Sequence, residues 1–317
     1  MDFKNYLVPG KTGLLIGIGG VSMSPLAEVL HDAGLDIRGS DMAESSNTLT
    51  LRERGIPIHI GHSADNVTDD ISFVIRTAAV HDDNPEVHEA HRRGIPVFER
   101  TQAWGALMRG YQNALCISGT HGKTTTTSMC THIMMAAEKD PTVMIGGTLP
   151  LLKACHRVGK GNTIIMESCE YYNSFLALNP TIAVVLNIEA DHLDFFKDLE
   201  DIKHSFRCFA ERVPAETGTV IANYDDANTM DALRGISRKV ITFGLNAKAD
   251  VYAQNIVHRG SVSEFDIYHR GNYFARVTLH VPGIHNVRNA LAATAAAIVL
   301  GVSPNAVKYG LAGFEGA

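Results

Sequence analysis

Cysteine is scarce in this chain and has no pairing pattern. There are five, Cys116, Cys130, Cys155, Cys169 and Cys208, an odd number with no CxxC among them. This argues against both a disulfide framework and a zinc site, and a reducing cytoplasm is the compartment it fits. Long apolar runs are missing too. The longest, ALAATAAAIVL, falls well short of the roughly 20 residues a membrane span needs, and its alanine richness points to a tightly packed internal helix. The opening MDFKNYLVPGK has no apolar signal core. Nor is there a block of like charge. The formal net charge is -6, so no nucleic-acid footprint is visible and phosphate groups are not attracted in general. An anionic ligand must be caught locally, by backbone N–H groups or a few placed cations. No internal repeat or low-complexity stretch is present.

What is present is a strand–helix alternation that runs and then restarts. The 317 residues, 45% hydrophobic and 20% charged, suit two soluble globular domains. TGLLIGIGG reads as a buried strand ending in glycines, SPLAEVLHDAG as a helix stopped at Gly34, and LDIRGSD as a second strand. PIHIG, SFVIRTAAV and PVFER are further short strands, so the first domain is a helix-covered parallel sheet. The restart begins at NALCISGTHGKTTTT, and the boundary falls near Met108 to Gln112, giving domains 1–110 and 111–317. TVMIGG, NTIIMES and TIAVVLNIE read as strands buried on both faces. From Asp250 to Val281 the pattern becomes an antiparallel meander with a turn at Arg270-Gly271-Asn272. HNVRNALAATAAAIVLG is a helix, and a last one starts with Ser303 as N-cap and Pro304 at the first helical position. The fold class is therefore α/β: a Rossmann-like parallel domain, then a phosphate-loop α/β domain with an added antiparallel sheet.

The second glycine loop carries the most chemistry. Gly119-Thr120-His121-Gly122-Lys123-Thr124 follows a strand and opens a helix, with Thr125 next. Glycines let successive N–H groups turn inward, and the helix N-terminus adds partial positive charge. Lys123 can reach the β- and γ-phosphates and the Thr124 hydroxyl can sit on Mg²⁺. The match departs from the usual pattern at Ile117, where an earlier glycine is expected. Glu167, at the end of NTIIMES, is a hard oxygen donor suited to Mg²⁺; it reads equally well as an N-cap or surface acid. A polar cluster, Asn187, Glu189, Asp191, His192 and Asp194, closes another strand. There His192 could ligate a metal or accept a proton, while Asp191 and Asp194 also suit helix starts.

The first glycine loop, Gly17-Ile18-Gly19-Gly20-Val21-Ser22, approximates GxGxxG with Ser22 in the last place, and Asp41 closes the next strand. On the residues alone it could bind the diphosphate of NAD or of a UDP-sugar. Arg100 is either a further diphosphate contact or a solvated surface charge.

GTHGKTTTT, MESCEYYNSFL, LNIEADHLDFF and PGIHNVRNALAA together resemble the central ATP-binding domain of the Mur ligase family, and the likeness extends over essentially the whole chain. The ESCE, NSFL and NIEADH strings are most similar to the branch that adds L-alanine to UDP-N-acetylmuramate. The resemblance implies an ATP-dependent ligase of peptidoglycan precursor synthesis, acting through an acyl phosphate, with Mg²⁺ as cofactor. It implies that Lys123 contacts the phosphates and that Thr124, Glu167 and His192 serve the metal, directly or through water. His285, Asn286 and Asn289 would face adenine. GIGGVSMS, with Gly17, Gly19, Gly20, Ser22 and Met23, would hold the UDP-sugar diphosphate, with Ser40 and Asp41 near the nucleoside. No lysine in SFRCFAERV matches the position that several relatives carbamylate. The family plan has a third, amino-acid-binding domain, which the resemblance does not find in these 317 residues, so binding without efficient ligation is the expectation for them alone. The competing readings are an NAD-dependent oxidoreductase built on the first loop and a non-catalytic nucleotide-binding module.

Overall fold

The computed structural model describes residues 2–77 and 79–316. The chain divides into two compact units, Met1–Gly110 and Tyr111–Ala317.

In the first unit, β1 (Thr12–Ile16), α1 (Ser24–Asp32), β2 (Asp36–Asp41), α2 (Ser46–Glu53), β3 (Ile58–Ile60), β4 (Ile71–Arg76), α3 (Pro85–Arg92), β5 (Val97–Glu99) and α4 (Arg100–Met108) alternate. The strands pair in the order β3-β2-β1-β4-β5, all parallel. Every residue of β1 is buried, as a strand covered on both faces requires. The order reverses beside β1, so the loop leaving its carboxyl end opens at the crevice where such sheets take ligands. The run SFVIRTAAV forms β4 only through Arg76; its Ala78 lies outside the described residues. Ser45 caps α2 in a reciprocal box with Thr48, and Asn84 caps α3 ahead of Pro85.

The second unit is built on β6 (Asn113–Ser118), α5 (Lys123–Ala136), β7 (Thr142–Leu149), β8 (Ala154–Arg157), β9 (Thr163–Glu167), β10 (Ile182–Val185), α6 (Leu199–Ala210), β11 (Thr219–Asn223), α7 (Ala227–Ala232), β12 (Lys239–Gly244), β13 (Val251–Arg259), β14 (Val262–His269), β15 (Asn272–Leu279), α8 (Ile284–Val299) and α9 (Pro304–Ala312). The strands make one ten-stranded sheet, β15-β14-β13-β12-β11-β10-β6-β9-β7-β8. The antiparallel meander is thus a continuation of the parallel sheet, joined by Phe243↔Val251 and Gly244↔Tyr252. Arg270 and Gly271, with φ of 50° and 79°, make its two-residue turn. β8, unread in the sequence, pairs antiparallel with β7 at the other edge. The alanines of α8 are buried against the core that also takes Leu115, Ile117 and Ile133. Small side chains let this helix lie close, and α5 and α8 are in contact. Among the described residues no helix is long and apolar enough to cross a membrane.

Candidate functional site

In the second unit the connection from β6 to α5 lies at the middle of the sheet, between β9 and β10. Gly119 (φ 146°) and Gly122 (φ 85°) take backbone conformations that L side chains rarely adopt, which is how the chain curls before α5 begins at Lys123. Asn187, just past β10, braces the curl. Its carbonyl oxygen accepts from Thr120 N–H at 3.1 Å, its Oδ1 accepts from His121 N–H at 2.8 Å, and its Nδ2 donates to His121 O at 3.0 Å. Thr120 Oγ1 accepts from Glu189 N–H at 2.9 Å. Lys123, Thr124 and Thr125 form the first turn of α5, where amide N–H groups have no intrahelical acceptor and the helix end favours an anion.

The side chains converge around Lys123. Its Nζ donates to Gly119 O at 2.6 Å and Thr120 O at 3.2 Å, and it pairs with the Glu170 carboxylate at 3.0 and 3.2 Å. The Glu170 side chain is only 3% exposed, against 15% for Lys123. His192 Nε2 stands 3.9 Å from Glu170 Oε1, the oxygen that Lys123 meets at 3.2 Å. Thr124 Oγ1 donates to Glu167 Oε1 at 3.1 Å, and Gly146 N–H donates to Glu167 Oε2 at 2.7 Å. Of the residues expected from the motifs, Lys123 and His192 share the Glu170 carboxylate and Thr124 bonds Glu167. Glu170 itself is no candidate on the sequence alone. The available signal was the second carboxylate of ESCE, three residues beyond Glu167 and preceding a break in the apolar pattern.

A carboxylate offers about four lone-pair sites, so Glu167 and Glu170 keep accepting capacity beyond these bonds. Among the described residues no cluster of three or more His, Cys, Asp or Glu groups could cage a metal. One or two carboxylates and a hydroxyl beside a phosphate loop suit Mg²⁺, which keeps several waters and shares phosphate oxygens. The donor set therefore fits that ion, and the His192 nitrogen, the softest donor present, is its poorest direct ligand.

Beside the loop a cleft of about 340 Å³ is lined by His121, Asn187, Asp225, His285, Arg288 and Asn289, among others. A Cβ on Gly122 would lie 2.7 Å from Asn289 Oδ1, so α8 and the loop touch. Asn289 donates to Asn286 Oδ1 at 3.3 Å, and Asn286 donates to Pro282 O at 2.7 Å, which orders the start of α8. His285 is exposed at the rim. Asp225 and Arg288 were not foreseen. Asp225 accepts from Leu245 N–H at 2.6 Å and lies 3.7 Å from Arg288 Nε. Asp191 and Asp194 start no helix; α6 begins later, capped by Asp198, whose side chain accepts from Asp201 N–H.

In the first unit the β1 loop is held largely by its own neighbours. Gly17 and Ile18 N–H both donate to Ser40 O, at 2.8 and 3.0 Å, and Gly19 N–H donates to Asp41 Oδ2 at 2.8 Å. Gly20 N–H donates to Gly17 O at 3.1 Å, and Asn47 Nδ2 donates to Gly19 O at 2.8 Å. Ser40 and Met23 are fully buried. The Ser40 hydroxyl donates to Glu86, and that carboxylate also accepts from Asn66 Nδ2 and meets His62 Nδ1. Arg100, at the start of α4, donates to the Ser22 hydroxyl, and Trp104 Nε1 donates to Ser22 O at 3.3 Å. A guanidinium at the mouth of the glycine loop gives the local cation that a diphosphate needs.

Comparison with known proteins places both units. The Mur ligase middle domain is matched over residues 117–297, and the Mur ligase family catalytic domain over 15–112. A UDP-N-acetylmuramate–L-alanine ligase of Agathobacter rectalis is 45% identical over 303 residues, which are 95% of this chain and 66% of that protein. One of Clostridium novyi is 44% identical over 317 residues, 100% of this chain and 69% of that protein. The crystal structure of the UDP-N-acetylmuramate-alanine ligase of Thermotoga maritima superposes with TM-score 0.80 at 30% identity, covering 96% of this chain and 69% of that one. The chain thus spans about two thirds of the length of these relatives. Because a Mur ligase match takes in the first glycine loop, the nicotinamide reading of that loop is displaced.

Proposed function

The chain belongs to the Mur ligase family, and from that premise we propose that it carries the nucleotide and UDP-sugar sites of a UDP-N-acetylmuramate–L-alanine ligase in peptidoglycan precursor synthesis. The observation that carries the reading is the meeting of Lys123, Glu170 and His192 at a phosphate loop flanked by the His285–Asn289 cleft.

Amide formation from a carboxylate and an amine needs an activated acyl group. A lactyl carboxylate oxygen of UDP-N-acetylmuramate attacks the γ-phosphorus of ATP, the bond to the β–γ bridging oxygen breaks, and ADP leaves. The α-amino group of L-alanine then attacks the acyl carbon; inorganic phosphate departs with the former acyl C–O bond's electrons, and the amine loses a proton. The chain contributes position and charge. First-turn amides of α5 and the Lys123 ammonium hold the β- and γ-phosphates. For Lys123 this means exchanging its contacts with Gly119 O and Thr120 O for phosphate oxygens, with Glu170 keeping the ammonium aimed. Thr124, Glu167 and Glu170 would hold Mg²⁺, with His192 next to Glu170. When bound, that ion neutralises charge on the phosphates. His285, Asn286 and Asn289 border the adenine. In the first unit Ser22, Gly20 and Arg100 face the UDP-sugar diphosphate, while Ser40, Asp41 and Gly19 shape the loop. The odd cysteine count without a CxxC pair supports a cytoplasmic location.

Titration calorimetry on this chain tests the reading, with Mg-ATP and UDP-N-acetylmuramate as separate ligands and NAD as the control. Saturable binding of the first two is the expected result. Failure of either to bind, or binding of NAD alone, overturns it.

A further inference from the structure

We propose that Tyr171 is a positioning residue for His192, holding its imidazole against Glu170; the inference rests on the reading of the Lys123–Glu170–His192 site given above. Two loops meet there, one leaving β9 and one leaving β10. His192 sits in a left-handed turn (φ 53°), its N–H donating to Asp191 Oδ1 at 2.7 Å and its carbonyl accepting from Phe195 and Phe196 N–H, both at 2.9 Å. Those bonds fix its backbone but leave the ring a choice of rotamers. The ring stacks on that of Tyr171, with centroids 4.4 Å apart and planes 27° apart. The Tyr171 hydroxyl donates to Asp194 Oδ2, two residues beyond His192, so one side chain grips the turn at two points.

The loop that carries Tyr171 is itself anchored. Tyr172 and Asn173 are both left-handed, with φ of 52° and 55°, a conformation that costs energy in non-glycine residues. It is held by Asn173 N–H donating to Glu170 O at 2.9 Å and by Ser205 Oγ donating to Asn173 Oδ1. Phe175, 1% exposed, stacks on Phe209 at 4.6 Å and plugs the loop into the core. The result is that two adjacent residues act together. Glu170 turns inward to Lys123 and His192, and Tyr171 covers the outer face of His192.

Tyr171→Leu removes the stack, Tyr171→Phe keeps the ring without the hydroxyl, and His192→Ala is the reference; all three lie at a partly exposed position and should melt as the wild type does. In ¹H–¹³C NMR spectra, Tyr171→Leu should abolish the ring-current displacement of the His192 ring protons and Tyr171→Phe should preserve it. In calorimetry with Mg-ATP, Tyr171→Leu and His192→Ala should each weaken binding about two- to tenfold, the range an aromatic pair supports. The Tyr171→Leu/His192→Ala double variant should lose no more than either alone, because one residue acts through the other. Unmoved His192 signals in Tyr171→Leu, or additive losses in the double variant, would overturn the role of Tyr171 and leave the ligase reading intact. Undiminished Mg-ATP binding in His192→Ala would overturn the reading of the site, and the proposal with it.

Discussion

Lys123→Ala should separate the ion pair with Glu170 from the phosphate contact proposed for the same ammonium. Among the described residues, Lys123 is the charged partner within hydrogen-bond distance of the Glu170 carboxylate, whose side chain is 3% exposed. Removing one member of a buried pair costs about 3–5 kcal/mol, because the other is left charged and unsolvated. One feature lowers that figure here: water reaches the lysine end, which is 15% exposed. A loss of about 2–3 kcal/mol is therefore expected, or roughly 4–12 °C in melting temperature for a unit of this size. Nucleotide binding loses a charge-assisted hydrogen bond as well, worth about 1.5–3 kcal/mol, or roughly 10- to 150-fold in Kd. Glu170→Gln placed on top of Lys123→Ala separates the two effects. An amide in place of the orphaned carboxylate should return most of the lost melting temperature while leaving Mg-ATP binding weak. Differential scanning calorimetry and titration calorimetry on the two variants read both quantities. Unchanged Mg-ATP affinity in Lys123→Ala would refute the phosphate role, and an unchanged melting temperature would refute the buried ion pair.

Three further outcomes follow from other parts of the chain. A Cβ on Gly19 would lie 2.8 Å from Thr48 Cγ2 and 3.0 Å from both Asp41 Oδ2 and Ser45 Oγ. Gly19→Val should therefore cost about 1–3 kcal/mol in stability and abolish UDP-N-acetylmuramate binding in calorimetry while sparing Mg-ATP binding; retained UDP-sugar binding would count against the loop. The Arg92 and Arg93 guanidiniums hold the Glu89 carboxyl down to about 2, so its contribution to stability is present above the ordinary carboxylate range and lost as pH falls toward that value. Glu89→Gln should accordingly lower the urea midpoint at neutral pH, and the gap to wild type should narrow in strong acid; a gap that is constant with pH would contradict the assignment. Burial pushes the Cys116 and Cys130 thiols up to about 12. A thiol reagent at about pH 8 should then label at most Cys155, Cys169 and Cys208 in the folded chain and all five after unfolding, and intact-mass measurement showing more than three labels on folded protein would disprove that burial.

Much of this protein was legible in its residues because the relevant signals are local. A strand buried on both faces, a glycine that can turn left-handed and a lysine opening a helix follow from backbone sterics and side-chain chemistry within a few residues. GTHGKT is therefore readable as a glycine turn between a strand and a helix, and TGLLIGIGG as a strand ending in a glycine loop. Ser303-Pro304 marks a helix start for the same reason. The two families of strands, period-free in β9 and β10 and alternating in β14, likewise announce where the sheet changes from parallel to antiparallel.

Tertiary structure decided what depends on residues distant in sequence. Ser40 and Met23 carry residue types suited to ligand contact, yet both are buried, and they meet the glycine loop through backbone groups, the Ser40 carbonyl and the Met23 N–H. The Asp41 carboxylate, expected beside a nucleoside, bonds the Gly19 N–H 22 positions away. Glu170 lies 47 positions from Lys123 and is its closest carboxylate only because β9 pairs with β6. No pattern along the chain encodes that distance. The sequence by itself determined the elements, the two loops and the family they resemble, since those are set by short-range periodicity and turn chemistry. Which carboxylate faces the lysine, which serine is buried and which tyrosine covers the histidine were decided by the sheet order, because burial and charge pairing are properties of neighbours in space.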